Sequence, residues 1–363
     1  MTARGPFLSL PGAVEASGDA GVADHYGNPS AEQRALAAGL AVVDLSQRAV
    51  LTVTGADRLT WLDSVTSQDL ASLAPGGSAE ALLLNPTGRI EHVLQVLDDG
   101  VTSWLLVEGQ EAASLLAWLD SMRFMMRVEV ADRSADYALI GTLGSPALAA
   151  AAPNGLPLVW NDPWSTVATG GHQYAEEPDH PASRWTWREF VIERASLAEA
   201  ARLPVAGLLA FEALRIAAWR PRFGTEVDEK TIPHELDWLR SAVHLSKGCY
   251  RGQETVAKVH NLGHPPRRLV MLHLDGSESV LPAEGDEIML GDKSVGRVTS
   301  AARHYELGPI ALAVIKRNTD PDAVLTVTVG DTVVTAAQEV IVPPSAGATA
   351  DVPRLPRLGG NRL

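Results

Sequence analysis

The hydrophobic period of the sequence changes near Arg268, and this change constrains the fold more than any other feature. Beyond it, apolar and polar residues alternate in short runs that turn residues separate. Several such runs at regular spacing are typical of a small all-β barrel or sandwich. The runs cover residues 269–274, 287–290, 294–299, 310–315 and 323–329. We therefore predict a separate C-terminal β-domain over residues 266–342.

Upstream of that boundary, strand and helix patterns are interspersed. Residues 50–54 and 81–84 are typical of strands, residues 89–107 of a hairpin, and residues 111–123 and 207–218 of helices. Strand, helix, hairpin, helix and strand in this order indicate an α+β class. The predicted division is a loosely ordered segment at 1–30, an α+β region of two lobes at 31–265, the β-domain, and a disordered tail at 343–363.

Composition and charge exclude several classes of function. The 363 residues carry a formal net charge of −14 and no extended basic patch, which disfavours direct nucleic acid binding. The single cysteine excludes an intramolecular disulfide and a cluster site built from several cysteines of one chain. We recognise no signal peptide and no apolar run of about 20 residues, so we expect a cytoplasmic protein that does not insert into membranes.

The most informative segment reads Lys-Gly-Cys-Tyr-Arg-Gly-Gln-Glu. Its members are Lys247, Gly248, Cys249, Tyr250, Arg251, Gly252, Gln253 and Glu254. Two glycines permit unusual backbone angles on either side of the only thiol, and a nearby lysine can favour a thiolate. The segment is therefore a candidate reactive cysteine on a glycine turn. The alternative, which spacing alone favours, is a buried structural cysteine at a tight bend.

This segment resembles the signature of the YgfZ proteins, which are paralogues of the glycine cleavage T-protein. The likeness continues through residues 255–259 and 267–269 and includes the Asn85-Pro86-Thr87-Gly88 turn and the stretch from Leu214 to Pro233. It covers roughly residues 41–313 and is weakest over 144–190. The resemblance implies a three-lobed T-protein-like α+β fold with a central folate-binding opening and a C-terminal β-barrel.

The resemblance also implies a function. YgfZ-like proteins bind tetrahydrofolate or a derivative and help to assemble, repair or maintain iron–sulfur enzymes, including radical enzymes that modify tRNA. The partners implied are folate and iron–sulfur client proteins, with Cys249 as the catalytic thiol or chemical handle. We expect a monomer with no stably bound metal, because one thiol supplies only part of a cluster's ligand set.

A folate needs a carboxylate for the adjacent donors of its pterin edge, apolar walls and a basic group for its glutamate tail. The candidate folate contacts are Asn85, His92, Glu212, Arg215, Lys247 and Arg268. The chain departs from the enzymatic T-protein at two positions. Glu91, His92 and Val93 stand where that enzyme has an aspartate, and Ala217 stands where it has the glutamate that holds the pterin.

These departures leave three hypotheses open. The first is the accessory folate-binding protein. The second is a folate-dependent aminomethyltransferase or demethylase-like enzyme of one-carbon metabolism, which the missing aspartate disfavours. The third is an interaction scaffold that has lost its ligand, for which Ala217 is the main argument. We interpret His92 equally as a cleft base or as a surface residue, and His260 and His264 as loop residues without a metal.

Overall fold

The computed structural model describes residues 5–277 and 280–350. The strands within these ranges are β1 (Val14–Glu15), β2 (Ala23–His25), β3 (Val42–Asp44), β4 (Ala49–Thr54), β5 (Ser78–Leu84), β6 (Ile90–Asp98), β7 (Thr102–Val107), β8 (Glu129–Asp132), β9 (Tyr137–Thr142), β10 (Val159–Asn161), β11 (Arg188–Glu193), β12 (Val205–Ala206), β13 (Arg267–Leu274), β14 (Glu287–Leu290), β15 (Lys293–His304), β16 (Gly308–Lys316), β17 (Leu325–Val329) and β18 (Thr332–Val340).

The α-helices of the same ranges are α1 (Pro29–Ala37), α2 (Arg58–Val65), α3 (Ala112–Ser121), α4 (Leu197–Ala200), α5 (Leu208–Ala217), α6 (Leu239–Ala242) and α7 (Gln253–Leu262). Short 3-10 turns separate several of these elements, and one of them, Gly109–Glu111, leads directly into α3. None of the helices in the described part of the chain is long and apolar enough to span a membrane.

Two five-stranded sheets form the first two lobes. The first has the order β5-β6-β7-β4-β8, and a core with Leu51, Leu94 and Leu115 lies between it and helices α2 and α3. The second has the order β10-β11-β9-β3-β12, in which only the β12–β3 pair is parallel. Each sheet has one apolar face, and packing of that face against other elements removes it from water.

The third lobe is a closed barrel with the strand order β13-β16-β15-β14-β17-β18. Its interior is filled by inward-facing aliphatic residues such as Val270, Ile288 and Val327, which are fully buried. Alternate residues of β13 belong to two cores: Val270, Leu272 and Leu274 fill the barrel, whereas Leu269 and Met271 belong to the core outside it. The predicted α+β class with a C-terminal barrel is confirmed.

A continuous core joins the three lobes. Leu84 of the first sheet, Leu139 of the second and Leu312 of the barrel belong to one buried cluster. Helix α5 lies at this junction and packs against β15 and β16 of the barrel as well as α1. The side chains of α5 are therefore placed where all three lobes meet.

Both ends of the described chain are more ordered than the sequence predicts. Phe7 and Val22 are buried, and β1 pairs with β2, although residues 1–30 were expected to be loose. At the other end, Thr349 donates a backbone hydrogen bond to the carbonyl of His260 at the end of α7. The expected disordered tail is thus ordered over 343–350, and its remaining residues, 351–363, lie outside the described residues.

Candidate functional site

A cavity lies between the two sheets and helix α5. The space between its lining atoms, with the open solvent at its mouth, amounts to about 620 Å³. β5 and β6 contribute Glu80, Val93 and Gln95 to its walls, and α5 contributes Phe211 and Arg215. We call this space the central cavity.

One wall of the central cavity is aromatic. Trp185 and Trp187 stack on each other with ring centroids 5.4 Å apart and an interplanar angle of 14°. Phe211 of α5 contacts Trp187 at 4.7 Å, and Phe223 completes the wall. Both tryptophans are 3% exposed or less, so packing in the core fixes the position of this wall.

Arginines paired with carboxylates also line the cavity, and Trp185 and Trp187 donate to two of these carboxylates, Asp162 and Glu189. Arg48 donates to Glu189 at 2.6 and 2.7 Å, and Arg222 donates to Glu108 at 3.0 Å. Arg220 donates to Glu80 at 2.5 Å and to Asp162 at 2.9 Å. These pairs allow charges to line a cavity that is largely removed from water.

Two predicted folate contacts belong to this network. Arg215 is 1% exposed and donates to Glu212 at 2.6 Å and to Glu226 at 3.0 Å. Glu212 also accepts from Arg222 at 2.9 Å. Although burial opposes it, the two arginines lower the pKa of Glu212 to about 2. Glu212 is therefore anionic and engaged, so we correct its expected role as a substitute pterin acceptor: it holds Arg215 and Arg222.

Several buried polar atoms around the central cavity have no hydrogen-bond partner among the described residues. They are the acceptors Gln47 Oε1 and Glu111 Oε2 and the donors Arg48 Nε, Arg220 Nη1 and Trp238 Nε1. A buried group left unpaired costs roughly 1–3 kcal/mol, and folded proteins contain few of them. Five at one cavity indicate that a ligand or water molecules complete their hydrogen bonding.

Glu111 connects the central cavity to the surface. Its Oε1 lies 2.9 Å from Nδ1 of His92, which is on β6, while its Oε2 is one of the unpaired atoms. Burial raises the pKa of Glu111, against the lowering effect of His92, and Glu108 raises it further. The ring centroids of His92 and Phe223 are 6.4 Å apart, and the two ring planes are tilted by 23°.

A second, more open space lies on the outer side of His92. We call it the outer cleft; it is lined by Asn85, Glu91, His92, Trp118 and Phe223, among others. Phe223 lines both spaces. Two predicted folate contacts, Asn85 and His92, thus lie in the outer cleft, separated from Arg215 in the central cavity by the Glu111–His92 pair and Phe223.

The cysteine segment packs onto the outer cleft. Gly252 has φ of +86°, and a Cβ there would lie 2.6 Å from the carbonyl oxygen of Asn85. Both the angle and the approach require glycine. Arg251 pairs with Glu91 at 2.8 Å, and its guanidinium lies over the Trp118 ring at 5.9 Å. Cys249 itself is exposed, so the alternative of a buried structural cysteine is wrong.

Lys247 has a structural position. Its Nζ donates to Asp63 Oδ1 at 2.9 Å and to the carbonyl oxygens of Asp63, Thr66 and Gln68 at 2.6, 3.0 and 2.6 Å. These oxygens lie at and beyond the end of α2, where carbonyls lack helical partners. The predicted folate contact is corrected here, because the ammonium is already surrounded by four oxygens and does not line the central cavity.

Arg268 lies in the barrel and is fully buried. It donates to the carbonyls of Arg317 and Thr319 and to the side chain of Gln338. Burial lowers its pKa to about 10. It lines neither the central cavity nor the outer cleft, so its predicted folate contact is also corrected.

Sequence reasoning missed most of the central cavity. Trp185 and Trp187 of its aromatic wall come from the stretch over 144–190 with the weakest resemblance, and both belong to the buried core. Glu111 was seen only as the start of a helix. Two carboxylates three residues apart directly after a buried strand, Glu108 and Glu111, are the one local signal that points to this site.

No group of three or more His, Cys, Asp and Glu side chains within residues 5–277 and 280–350 is placed to hold a metal ion. His260, expected in a loop, is on α7, where its Nδ1 lies 3.0 Å from the hydroxyl of Tyr174.

Fold and cavity together define a three-lobed α+β protein with a central ligand cavity. Two family models match the chain: the GCVT N-terminal domain over residues 22–152 and the glycine cleavage T-protein C-terminal barrel domain over residues 267–344. The chain therefore belongs to the aminomethyltransferase-like superfamily. The finer YgfZ assignment is taken up below as a proposal.

Curated relatives agree with this placement. A chloroplastic putative transferase of Arabidopsis thaliana is 27% identical over 80% of this chain and 69% of its own length. Aminomethyltransferases of Symbiobacterium thermophilum and Streptomyces coelicolor are 27% and 26% identical over 76% and 80% of this chain, and over 78% and 82% of their own lengths.

A solved structure shares the fold. The glycine cleavage system aminomethyltransferase T from Bartonella henselae aligns with a TM-score of 0.72 over 93% of this chain and 95% of that one, at 18% sequence identity. At this identity the likeness establishes the three-lobed architecture of the chain.

Proposed function

We propose that the chain binds tetrahydrofolate or a derivative in the central cavity and acts as a YgfZ-like accessory protein for iron–sulfur enzymes, including radical enzymes that modify tRNA. The observation that carries the proposal is the set of buried, unpaired polar atoms around an aromatic-walled cavity. Cys249, exposed on the segment beside the outer cleft, is the chemical handle in this proposal.

The residues of the central cavity fit a pterin. The pterin edge presents adjacent N–H donors and a carbonyl oxygen, which require an acceptor and donors in the protein. Glu111 Oε2 is the unpaired carboxylate acceptor beside the amide acceptor Gln47 Oε1, and Arg220 Nη1 and Trp238 Nε1 are unpaired donors. Trp187 and Phe211 supply the flat apolar wall. When bound, the folate would supply a carrier for one-carbon units.

In this proposal Glu111 is the carboxylate that holds the pterin. The T-protein has a glutamate for this role at the position where this chain has Ala217. The carboxylate comes from the turn before α3 in the first lobe, and not from α5. This position leaves Glu212 free to hold Arg215 and Arg222. With Glu111 in this role, Ala217 no longer argues for a scaffold without a ligand.

The accessory role depends on a thiol that a partner protein can reach. Cys249 is exposed, whereas the cavity lies behind His92 and Phe223. One thiol can act as a nucleophile or as a transient ligand, with the remaining ligands supplied by the client. Arg251 and Gly252 fix the segment on the outer cleft, so that the thiol has a defined position.

Calorimetric titration with tetrahydrofolate and with its formyl and methylene forms tests the ligand. We expect micromolar binding, about −8 kcal/mol. Glu111→Gln should weaken it about 10-fold or more, because the ring would lose a charged acceptor. Asp120→Asn, an exposed carboxylate on the following helix, is the matched control. No saturable binding by the wild type would contradict the proposal.

A second experiment tests the accessory role. A radical iron–sulfur enzyme that thiomethylates tRNA should retain its activity over repeated turnovers when this protein is present, and Cys249→Ser should abolish the effect without changing folate affinity. Equal protection by Cys249→Ser would remove the thiol from the proposal.

The names of the relatives support a second candidate, an aminomethyltransferase. Glycine-dependent turnover with a lipoyl carrier protein separates the two candidates. Turnover that depends on Glu111 and not on Cys249 would favour the enzyme, and folate binding without turnover would favour the accessory protein.

A further inference from the structure

A segment that follows the barrel closes the end of helix α7. We call residues 343–350 the strap. The backbone N–H and the hydroxyl of Thr349 both donate to the carbonyl oxygen of His260 at 3.0 Å, and the N–H of Ala350 donates to the carbonyl of Asn261 at 3.2 Å. The final carbonyls of a helix have no partner within it. Here a segment 89 residues further along the chain supplies the donors.

Two further contacts fix the strap to the residues that follow α7. Nδ1 of His264 lies 2.7 Å from the carbonyl oxygen of Ala346, whose side chain is buried. Because a carbonyl oxygen can only accept, the imidazole donates. A Cβ at Gly347 would overlap the carbonyl oxygen of Gly263, so the two backbones approach each other closely. The strap therefore docks through matched hydrogen bonds and a close backbone contact.

The docked strap does not have the conformation that its own backbone prefers. Ala348 has φ of +50°, in the left-handed region that residues with a Cβ seldom adopt, and Gly347 before it has φ of +90°. Such a conformation persists where surrounding contacts impose it. The docked form therefore depends on the contacts with α7 and on those just beyond it.

Helix α7 has little packing of its own. Val256 is buried, whereas the other residues of α7, all within the described part of the chain, have half-exposed or exposed side chains. A helix of 10 residues is marginal in water, because nucleation is costly and few hydrogen bonds follow it. The stability of α7 therefore depends on contacts with other segments, and the strap supplies the donors for its last carbonyls.

The first residue of α7 closes the loop that carries the thiol. Nε2 of Gln253 donates to the carbonyl oxygens of Lys247 and Gly248 at 3.3 and 3.4 Å. The two residues before Cys249 are thus tied to the helix. Because helix formation is cooperative, a short helix that loses the contacts of its last turn becomes less stable over its whole length. The strap and the Cys249 loop are therefore coupled through α7.

We propose that the strap controls the position of Cys249 through α7. While the strap is docked, α7 stays helical and the thiol stays beside the outer cleft. When a partner binds the strap, or the chain is cleaved there, α7 frays and the thiol becomes mobile. The inference rests on the proposed function for the use that it gives the thiol. It adds regulation to that role, because the reach of Cys249 toward a client depends on a segment outside the central cavity and the outer cleft.

A nitroxide label on Cys249, the only cysteine, reports the mobility of the loop through its spectrum. Two variants release the strap: a chain that stops after Val342, and full-length Gly347→Val, whose side chain blocks docking. In both, the spectrum should narrow, and amide exchange of α7 should become about 10-fold faster or more. The matched controls are a chain that stops after Ala350 and Gly18→Val, since an added Cβ at Gly18 meets no atom within 4 Å.

Amide exchange of the wild type tests the coupling without any substitution. The amide of Thr349 should exchange through the same opening as that of Gly263, which donates to Val259 in the last turn of α7, so their protection should agree within about threefold. A strap that exchanges far faster than the end of α7 would overturn the inference.

Protection of the barrel strands β13 and β16 shows that a variant has kept its fold. An unchanged label spectrum in a folded variant would overturn the inference and leave the proposed function standing, and folate affinity should be equal in the wild type and all variants. Absence of folate binding by the wild type would contradict the proposed function and would not alter the label spectra.

Discussion

Nζ of Lys247 lies 2.9 Å from Oδ1 of Asp63, which is 184 residues earlier in the chain. The same ammonium also donates to the carbonyls of Asp63, Thr66 and Gln68, so its hydrogen-bond donors are already used. The lysine of the cysteine segment therefore fixes that segment to the end of α2. Its side chain is 3% exposed and that of Asp63 is 22% exposed, so the ion pair is buried on the lysine side and partly open to water on the aspartate side.

Replacing Lys247 by methionine should destabilise the fold. The variant keeps the length of the side chain but leaves Asp63 and the carbonyls without their donor, and leaving such acceptors unpaired costs roughly 1–3 kcal/mol. Denaturant unfolding measures the loss. Lys258→Met, the same change at an exposed lysine of α7, should leave stability within about 0.5 kcal/mol. Unchanged stability of Lys247→Met with lost folate affinity would restore its interpretation as a folate contact.

Cys249 should react in the native protein. It is exposed and is the only cysteine, so a thiol reagent at mildly alkaline pH should modify one group per chain without denaturant. Cys249→Ser should change the free energy of unfolding by less than about 0.5 kcal/mol, because an exposed side chain contributes little packing. The denatured protein gives the total thiol count for comparison. A thiol that reacts only after denaturation would contradict the exposed position.

Ligand binding should quench the fluorescence of the aromatic wall. Trp187 contacts Phe211 at 4.7 Å in the central cavity, so a bound ring would lie against it. Trp187→Phe should remove a large part of the quenching and weaken binding by about 1 kcal/mol, since a smaller ring covers less of the ligand. Trp61→Phe is the control, because Trp61 is buried against Met122 and lies away from the cavity. Equal loss of quenching in both variants would argue against a ligand at this wall.

The barrel and the glycine turn were predictable from the sequence because local patterns specify them. In β13 the period of two of any strand places Val270, Leu272 and Leu274 on one face, and that face fills the barrel. Gly252 was recognised as a position of unusual backbone geometry, and its φ of +86° agrees. Signals of this kind are contained within a few residues, and no distant contact is needed to interpret them.

The central cavity could not be predicted in the same way. Arg48 pairs with Glu189 across 141 residues, and Trp187 meets Phe211 only when α5 packs on the second sheet. A basic residue in a sequence has several possible partners, and only the fold decides among them. Arg268 illustrates this: its guanidinium faces carbonyls of the barrel instead of a ligand.

Stability should depend on pH through Asp237, which is fully buried and has one unpaired carboxylate oxygen, Oδ2. Burial raises its pKa to about 7, although backbone donors such as Tyr174 and the charge of Arg240 oppose the shift. In the unfolded chain an aspartate titrates near 3.9. Between these two values the native state binds the additional proton, so stability falls as pH rises, by up to about 1.4 kcal/mol per pH unit.

Asp237→Asn should therefore flatten the pH dependence of unfolding. The amide stays neutral at every pH, still accepts from Tyr174 through Oδ1, and suits the left-handed φ of 55° at this position. The variant should match the wild type near pH 4 and exceed it in stability above about pH 7, as measured by denaturant unfolding across this range. Asp228→Asn should be less stable than the wild type near neutral pH, and the two should converge on acidification. Hydrogen bonding from Arg267 lowers the pKa of Asp228 against the effect of burial, so the stabilisation by this carboxylate is present near neutral pH and lost at low pH. Parallel pH profiles for the wild type and Asp237→Asn would mean that Asp237 is ionised in the native state at low pH, against its burial.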